Sequence, residues 1–478
     1  MPFSIVILWT DALVFAMIAA VLALAWHVRR HEHLAASWRK VARSPAGMAA
    51  ATVLSFFVVV GIADSLHYRP AIAMKDGKTV YAVEVLSVLD KATEHLRMRK
   101  ATTYSAPLAT HGYTKESIEL PDGRQVRDFP RLKYGGAHLK DPAADWAPDV
   151  ARRCLYGFAA GTLLWLTVAT LLCAMLARRG GVNTDAIWRA VWRGGTEVPW
   201  RAVLVTLAVM LAIGAPAVAL SAKYYVLGTD KVGQDVFYQS LKSIRTGLVI
   251  GTVTTLVMLP FALLLGVMAG YFKGWVDDVI QYLYTTLSSI PGVLLIAAAV
   301  LMMQVWIETH PDLFDTVTAR ADLRLVFLCV ILGITSWTGL ARLLRGEALK
   351  LREMEYIQAA HAFGVSHWRV LTRHILPNVM HIVLIALVMD FSGLVLAEAV
   401  LSYVGVGVDP TTISFGTMIN SARLEMAREP MVWWSLASAF CFMLVMVLSA
   451  NLFADAVRDA FDPRVRVVRP FRLAAQKA

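Results

Sequence analysis

Long apolar stretches dominate this chain of 478 residues and leave few alternatives for its fold. A helix needs about 20 apolar residues to cross roughly 30 Å of hydrocarbon. Only 17% of the residues are charged, whereas a soluble protein carries about 25%, so the polar surface that water requires is missing. We therefore predict an all-α membrane protein, a polytopic bundle of about nine transmembrane helices. The stretches are 3–26, 46–66, 155–177, 201–221, 246–270, 287–306, 323–342, 378–404 and 433–453.

Lys and Arg are distributed unequally between the two ends of these stretches. The loops that follow the odd-numbered stretches hold 21 of them, and the short loops on the opposite side hold 7. Basic loops remain on the cytoplasmic side of a membrane. We expect the N-terminus to lie outside and the C-terminus in the cytoplasm, and we attribute the net charge of +11 to this topology rather than to nucleic-acid binding.

Segment 67–152 has the composition of a water-exposed region. It is rich in charges and in turn sequences such as Gly135-Gly136 and Asp141-Pro142, so we expect a small external subdomain. The cysteines and histidines of the chain lack the spacing of metal ligands, and no nucleophile motif is present. We predict no catalytic, cofactor or metal site, so the chain is not expected to be an enzyme by itself.

The loop 345–377 carries the most specific local pattern. Residues 356–363 predict a short amphipathic helix, Gly364 permits a sharp turn, and 368–375 predict a second short helix that ends before Pro377. Two short helices at an angle would form a compact knob that fits a partner's groove. A helix lying on anionic lipid is the alternative that the basic residues also suit.

This loop resembles the EAA loop of ABC importer permeases, in particular the C-type permeases of dipeptide, oligopeptide and nickel importers. Two positions depart from the family pattern: Gln358 replaces the glutamate that names the loop, and Gln234 replaces an external arginine. The motifs that agree in order and spacing are Gly228-Thr229-Asp230 with Gly233-Gln234-Asp235, 270–277, 289–292, Gln358-Ala359-Ala360, Gly364, 374–377, 401–407 and 455–464.

The resemblance implies a bacterial inner-membrane permease subunit that forms half of the translocation pathway of an ATP-driven importer for peptides or a related small solute. The implied partners are a second permease subunit, two cytoplasmic ABC ATPases that bind the ATP, and an external substrate-binding protein. The implied ATPase-coupling residues are Tyr356, Gln358, Ala359, Ala360, Gly364, Arg369 and Pro377, and the external family segment is represented by Gly228, Asp230, Gly233 and Asp235. An ABC-type exporter component and a membrane scaffold or sensor remain as alternatives.

Three of the predicted helices have no counterpart in the family. The resemblance covers a core of six helices, and the inserted pair preserves the orientation of the chain that follows. The predicted division is 1–45 (extra helix and basic cytoplasmic loop), 46–66 (first core helix), 67–152 (external subdomain), 153–227 (inserted helix pair), 228–464 (permease core with the coupling loop 345–377) and 465–478 (basic cytoplasmic tail).

Ionisable residues inside the predicted helices are candidates for the translocation pathway, because carboxylates at that depth need water or a partner. Asp390 lies near the middle of 378–404, and Glu398 lies roughly 80° further around the helix. Asp390 either faces the pathway and meets a cationic group, such as a peptide amino terminus, or makes a helix–helix hydrogen bond. We expect Glu398 to act as a gate or packing contact, and Asp11 to contact the other added helices.

Overall fold

The computed structural model describes residues 3–75, 78–119, 125–310 and 316–461. Within these ranges, nine helices are long and apolar enough to cross a membrane, which confirms the predicted polytopic bundle. The helices are, in chain order, α1 (Trp9–Arg30), α2 (Glu32–Arg43), α3 (Pro45–Ser65), α4 (Val88–Ala92), α5 (Glu94–Arg97), α6 (Pro142–Gly180), α7 (Thr184–Arg193), α8 (Trp200–Ser221), α9 (Val236–Phe272), α10 (Gly274–Ser289), α11 (Gly292–Thr309), α12 (Val317–Ser336), α13 (Thr338–Arg352), α14 (Glu355–Ala362), α15 (His367–Val370), α16 (Leu376–Val404), α17 (Phe415–Glu425) and α18 (Trp434–Phe461).

The nine spanning helices are α1, α3, α6, α8, α9, α11, α12 joined to α13, α15 joined to α16, and α18. Their loops divide the molecule into two ends. We call the end that carries residues 66–141 the sheet side and the end that carries residues 353–376 the knob side. Amphipathic helices α2 and α7 lie on the knob side, between consecutive spanning helices.

Local sequence explains where the spanning helices begin. The side chains of Ser44, Asp141 and Asp235 accept backbone N–H bonds at the starts of α3, α6 and α9. Proline follows Ser44 and Asp141 at the first helical position, where its missing N–H costs nothing. These caps lengthen α6 and α9 beyond the predicted apolar stretches, because each helix begins within the polar segment that precedes its span.

Helix α9 is the central element of the bundle, and it contacts α3, α10, α12, α13 and α16. Its glycines allow the closest of these contacts. A Cβ atom at Gly266 would lie 2.7 Å from the carbonyl oxygen of Ala341, and one at Gly270 would lie 2.5 Å from that of Arg345. Glycine is therefore required where the backbones of α9 and α13 meet.

The sheet side carries a small antiparallel sheet, which gives the predicted external subdomain a regular part. Its long strand, β2 (His67–Lys75), pairs with β1 (Phe3–Val6), β3 (Lys78–Tyr81) and β4 (Leu86–Ser87), and a separate hairpin is formed by β5 (Glu116–Glu119) and β6 (Gln125–Asp128). The prediction that the first helix begins at residue 3 is wrong, because Phe3–Val6 pairs with residues 67–70 and α1 begins at Trp9. The sequence does not reveal this boundary, because the strand and the helix that follows it are both apolar.

The added helices α6 and α8 pack closely against each other, and α8 packs on α3. A Cβ atom at Gly157 would lie 2.6 Å from Pro216 Cα, so this crossing also depends on glycine. The pair is thus attached to the first core helix. The family-like motif 455–464 is described only as far as Phe461, and the predicted basic tail 465–478 lies outside the described residues.

Candidate functional site

The knob on the knob side is built around one glycine. Helix α14 ends at Ala362, and Gly364 adopts a φ of +74°, a left-handed conformation that side chains other than glycine rarely adopt. The amide of Gly364 donates to His361 O over 2.9 Å, which closes the turn before α15 begins. The predicted first helix and glycine turn are both present.

The predicted second short helix is not a separate element. Helix α15 passes through a π-helical turn (Leu371–Ile375) directly into α16, and the whole segment His367–Val404 is one long helix. Pro377 does not interrupt it, because it occupies the first turn of α16 as the π-turn ends, and its ring fits the start of a helical segment. The knob is therefore continuous with a spanning helix, so any movement of the knob would also move that helix.

Buried side chains fix the knob to the bundle. Ile357 of α14 and Val370 of α15 are each 0% exposed, within a cluster that includes Leu344 of α13. The Arg345 guanidinium binds the Asp277 carboxylate through two bonds of 2.6 and 2.7 Å, which joins α13 to α10. The knob thus packs on α13, and the Arg345–Asp277 ion pair holds α13 against α10.

The outward face of the knob is apolar. Phe363 is 87% exposed and Trp368 is 69% exposed, on either side of Gly364. Large apolar side chains displayed in this way mark a surface that another protein or a membrane covers. Of the residues implied in ATPase coupling, six are exposed and one, Ala360, is half-buried; the exposed ones are Tyr356, Gln358, Ala359, Gly364, Arg369 and Pro377.

Two of the polar members of this set, Tyr356 and Gln358, bond within the knob. The Gln358 amide donates to Glu353 O over 3.2 Å, and the Asn378 amide donates to the Tyr356 hydroxyl over 3.3 Å. The Lys273 ammonium binds Glu353 over 2.8 Å at the end of α9. Gln358 thus stabilises the start of α14, and among the described residues its neutral side chain bonds only to the Glu353 backbone oxygen.

The external family segment forms a tight turn on the sheet side. Asp230 Oδ1 accepts the amides of Val232 and Gln234, and Gly228 and Gly233 both have positive φ angles, +72° and +74°. A Cβ atom at Gly233 would lie 1.9 Å from Ala101 O, so no other residue fits there. The segment is docked on residues 101–105 of the preceding subdomain, and Trp434 donates to Thr229 O over 2.9 Å.

Asp235 ends this turn and caps α9, with only 1% of its surface exposed. Burial raises the pKa of Asp235 to about 7, although the amide of Phe237 donates to its carboxylate. Because the folded-state pKa lies above the unfolded value, protonated Asp235 stabilises the fold at low pH, and this stabilisation is lost as the pH rises through about 7.

Replacing Asp235 by Asn is expected to reduce the pH dependence of stability. Asn keeps the cap and stays neutral, so the melting temperature of the variant should fall less than that of the wild type between pH 5 and pH 8. Over this range the wild type should lose on the order of 3 kcal/mol more unfolding free energy than the variant. The measurement is thermal unfolding in detergent at both pH values. The exposed Asp278, changed to Asn, is the control and should follow the wild type; identical slopes for Asp235→Asn and wild type would contradict the assignment.

The two predicted carboxylates of α16 have different surroundings. Glu398 is 1% exposed, and its Oε1 accepts the hydroxyls of Ser402 and Ser414 over 2.8 Å each. A Cβ atom at Gly416 would lie 2.7 Å from the same oxygen. Glu398 therefore joins α16 to the start of α17 on the sheet side.

Asp390 is half-buried in the middle of α16. Among the described residues, none forms a hydrogen bond or ion pair with its carboxylate. The structure thus does not bring Asp390 and Glu398 together, and the described part of this chain contains no helix–helix hydrogen bond to Asp390.

A buried charge cluster near the sheet side was not anticipated. Arg245 of α9 donates over 2.6 Å to both Asp11 Oδ1 and Thr10 Oγ1 of α1. Asp11 Oδ2 lies 2.7 Å from His67 Nδ1, and Asp322 of α12 accepts the amide of Thr10 over 3.1 Å as well as its hydroxyl. The expectation that Asp11 contacts the other added helices is wrong, because its partners are Arg245 of α9 and His67 of β2.

A second cluster connects the subdomain to the bundle. The Lys242 ammonium of α9 binds Asp64 at the end of α3 and Asp90 of α4, each over 2.7 Å. Burial opposes the ionisation of Asp90, but the Lys242 charge and the hydrogen bonds from Lys242, Ser87 and Tyr238 together outweigh it and hold the pKa of Asp90 below its ordinary value. The only signal in the sequence was that Lys242 and Arg245 both stand at the polar start of a span, three residues apart. Among the described residues, no group of His, Cys, Asp or Glu could hold a metal ion.

The nine apolar helices and the knob define a multi-pass membrane subunit, and comparison with known proteins identifies its family. A profile described as a binding-protein-dependent transport system inner membrane component matches residues 262–467. The oligopeptide transport system permease protein OppC of Mycobacterium tuberculosis is 32% identical over 243 residues, 51% of this chain and 77% of that protein. The glutathione transport system permease protein GsiD of Pectobacterium atrosepticum is 30% identical over 326 residues, 63% of this chain and 99% of that protein.

The chain belongs to this family, the inner-membrane permease subunits of ABC importers. This confirms the resemblance inferred from the motifs, and it makes the chain a multi-pass inner-membrane component of a transporter rather than an enzyme. Among solved structures, a chain of the inward-facing methionine ABC transporter MetNI has a TM-score of 0.34 and 16% identity over 46% of this chain and 93% of that one. A score this low adds nothing to the description of the fold.

Proposed function

We propose that this chain forms half of the translocation pathway of an ATP-driven importer for peptides or a related small solute, and that the knob couples it to cytoplasmic ATPase subunits. The knob carries the proposal: a glycine turn displays two large apolar side chains at a point where the chain continues without a break into a spanning helix. Relatives named for oligopeptides, glutathione and, in Escherichia coli, D,D-dipeptides support the substrate class.

The proposal assigns the knob side to the cytoplasm and the sheet side to the exterior. The excess of Lys and Arg in the knob-side loops supports this orientation. The turn 228–235 and the segment 405–432 then face outward, where a substrate-binding protein would deliver its cargo. A second permease subunit would complete the pathway, and ATP bound by the ATPases would bias the bundle between its inward and outward openings.

The decisive experiment is purification of the chain from native membranes in mild detergent, with mass spectrometry of the proteins that accompany it. We expect a second permease subunit and one or two ATPases. A Gly364→Trp variant used as bait is the matched control, and it should retain the permease partner and lose the ATPases. Recovery of the chain alone, even after crosslinking at residues 355–376, would overturn the proposal and favour a membrane scaffold or sensor.

We assign Asp390 to the pathway. Its carboxylate lies halfway along a spanning helix, half-buried and without a bonding partner among the described residues. Such a group is costly in a membrane unless it faces water or a cation. In an assembled importer, the cation we propose is the amino terminus of a peptide in transit. Glu398, which is already bonded by two serine hydroxyls, is instead assigned to holding the external end of α16.

Replacing Asp390 by Asn is expected to reduce dipeptide uptake by about tenfold, because one charge-assisted hydrogen bond to the amino terminus is lost. The measurement is uptake into proteoliposomes that contain the complete complex. Uptake of the N-acetylated dipeptide, which has no cationic terminus, should be equal in variant and wild type. An unchanged rate and half-saturating concentration for the free dipeptide would exclude Asp390 from the pathway.

A further inference from the structure

Three aromatic side chains meet where the knob touches the end of α9. The hydroxyl of Tyr271 lies 3.0 Å from His361 Nε2 and 2.8 Å from His367 Nδ1. His361 belongs to α14 and His367 begins α15, so the hydroxyl bridges the two arms of the knob on either side of Gly364. Tyr271 itself is 3% exposed and is held by Arg352, which donates to its carbonyl oxygen over 2.9 Å.

The two hydrogen bonds of the bridge depend on which histidine nitrogens carry a proton. A tyrosine hydroxyl donates one hydrogen and accepts others, whereas a neutral imidazole has one N–H donor and one acceptor nitrogen. The hydroxyl can therefore donate to one histidine and accept from the other. If both rings are protonated, both nitrogens are donors, the hydroxyl hydrogen has no acceptor in the bridge, and two cations face each other with ring centroids 5.2 Å apart.

The charged groups on the surrounding elements do not neutralise the positive charge that the bridge gains when both histidines are protonated. Among the described residues, neither histidine forms an ion pair with a carboxylate, and Lys273 and Glu353 are paired with each other. The basic groups on the knob-side parts of these elements are Lys273, Arg342, Arg345, Lys350, Arg352, Arg369 and Arg373, and the acidic groups are Asp277, Asp278, Glu347, Glu353 and Glu355. Of these, Asp277 is paired with Arg345 and Glu347 with Lys350. A second positive charge in the bridge therefore enters a predominantly basic neighbourhood.

We infer that Tyr271 is a positioning residue that transmits movement of the knob to α9 by bridging His361 and His367, and that this transmission weakens when both histidines are protonated. The inference rests on the proposed function and adds a second route to it, because α16 receives the movement through the backbone, whereas the Tyr271 bridge links α9 directly to both arms of the knob. Protonation of both His361 and His367 would uncouple ATP hydrolysis from transport while the ATPase stays bound.

The test is the number of substrate molecules transported per ATP hydrolysed by the reconstituted complex, at knob-side pH 7.5 and 5.5. Tyr271→Phe should bind the ATPases normally and lower this ratio about tenfold at pH 7.5, the effect of losing two neutral hydrogen bonds. Wild type should show a lower ratio at pH 5.5 than at pH 7.5. The double variant His361→Gln/His367→Asn does not titrate, and its amides can offer the Tyr271 hydroxyl one oxygen acceptor and one nitrogen donor, so it should retain the wild-type ratio at pH 7.5 and hold it at pH 5.5.

Two controls separate the outcomes. His374→Gln changes a histidine outside the bridge and should keep the wild-type pH profile. Because every variant is assayed with the same ATPases, titration of the ATPases themselves affects all profiles equally. An unchanged ratio in Tyr271→Phe, or a pH profile in the double variant identical to that of wild type, would overturn the inference, whereas failure of any ATPase to bind the wild-type chain would overturn the proposed function instead.

Discussion

Replacement of Gly364 by Trp is expected to abolish ATP-driven uptake while leaving the amount of chain in the membrane unchanged. Two effects act together. The φ of +74° at this position costs a side chain other than glycine about 1–2 kcal/mol, and the indole would project from the turn between Phe363 and Trp368, where the ATPase is proposed to dock. Among the described residues, no atom lies within 4 Å of a Cβ atom placed at Gly364, so the substitution should not disturb the fold elsewhere.

The measurement is uptake in membrane vesicles, normalised to the quantity of chain detected in the membrane. Gly364→Asn is the matched control, because Asn tolerates the left-handed conformation and adds little volume. It should retain most of the transport, and Gly364→Ala should fall between the two. Normal uptake by the Trp variant would count decisively against docking of the ATPase at the knob.

Replacement of Asp11 by Ala is expected to destabilise the whole bundle, although α1 lies outside the residues that match the family profile. Asp11 is 0% exposed and binds Arg245 and His67, so its loss leaves the Arg245 guanidinium buried with Thr10 and with an Asp322 carboxylate 3.8 Å away. Removing one partner of a buried ion pair typically costs about 3–5 kcal/mol. A fall in melting temperature in detergent and faster proteolysis of the chain are the expected results.

A double-variant cycle distinguishes the ion pair from loss of packing alone. An Asp11→Leu/Arg245→Met chain removes both charges and keeps apolar volume, and replacement of a whole buried pair is often close to neutral. We therefore expect the double variant to regain most of the stability that either single variant loses. Equal and additive losses would show that Asp11 and Arg245 act independently and that the cluster does not attach α1 to the core.

The local motifs were accessible from the sequence because their physical causes are local. The turn at Gly364 follows from the freedom of one residue and from the helix that ends before it. The same holds for the external segment, where Asp230 accepts amides two and four residues further along the chain. The continuity of α15 with α16 was missed, because a proline predicts an interruption and only the preceding π-turn shows how the backbone avoids one.

The charge clusters were not accessible in the same way. Asp11 and Arg245 are separated by more than 230 residues, and their contact depends on α1 lying against α9 and α12 rather than beside α6 and α8. The Tyr271 bridge is a similar case, because two histidines on either side of a turn become partners only where the end of α9 reaches them.

The sequence by itself determined that this protein folds in lipid, that nine helices among the described residues are long and apolar enough to cross a membrane, and where the knob lies. These properties follow from transfer of apolar segments into lipid and from backbone freedom at single residues, which act over tens of residues at most. Only the tertiary structure decided which helices the added α1 meets, which charges neutralise one another and which side chains bridge the knob to α9. Apolar helices present similar faces to lipid and to each other, so their order in the bundle depends on close packing and on a few buried polar contacts.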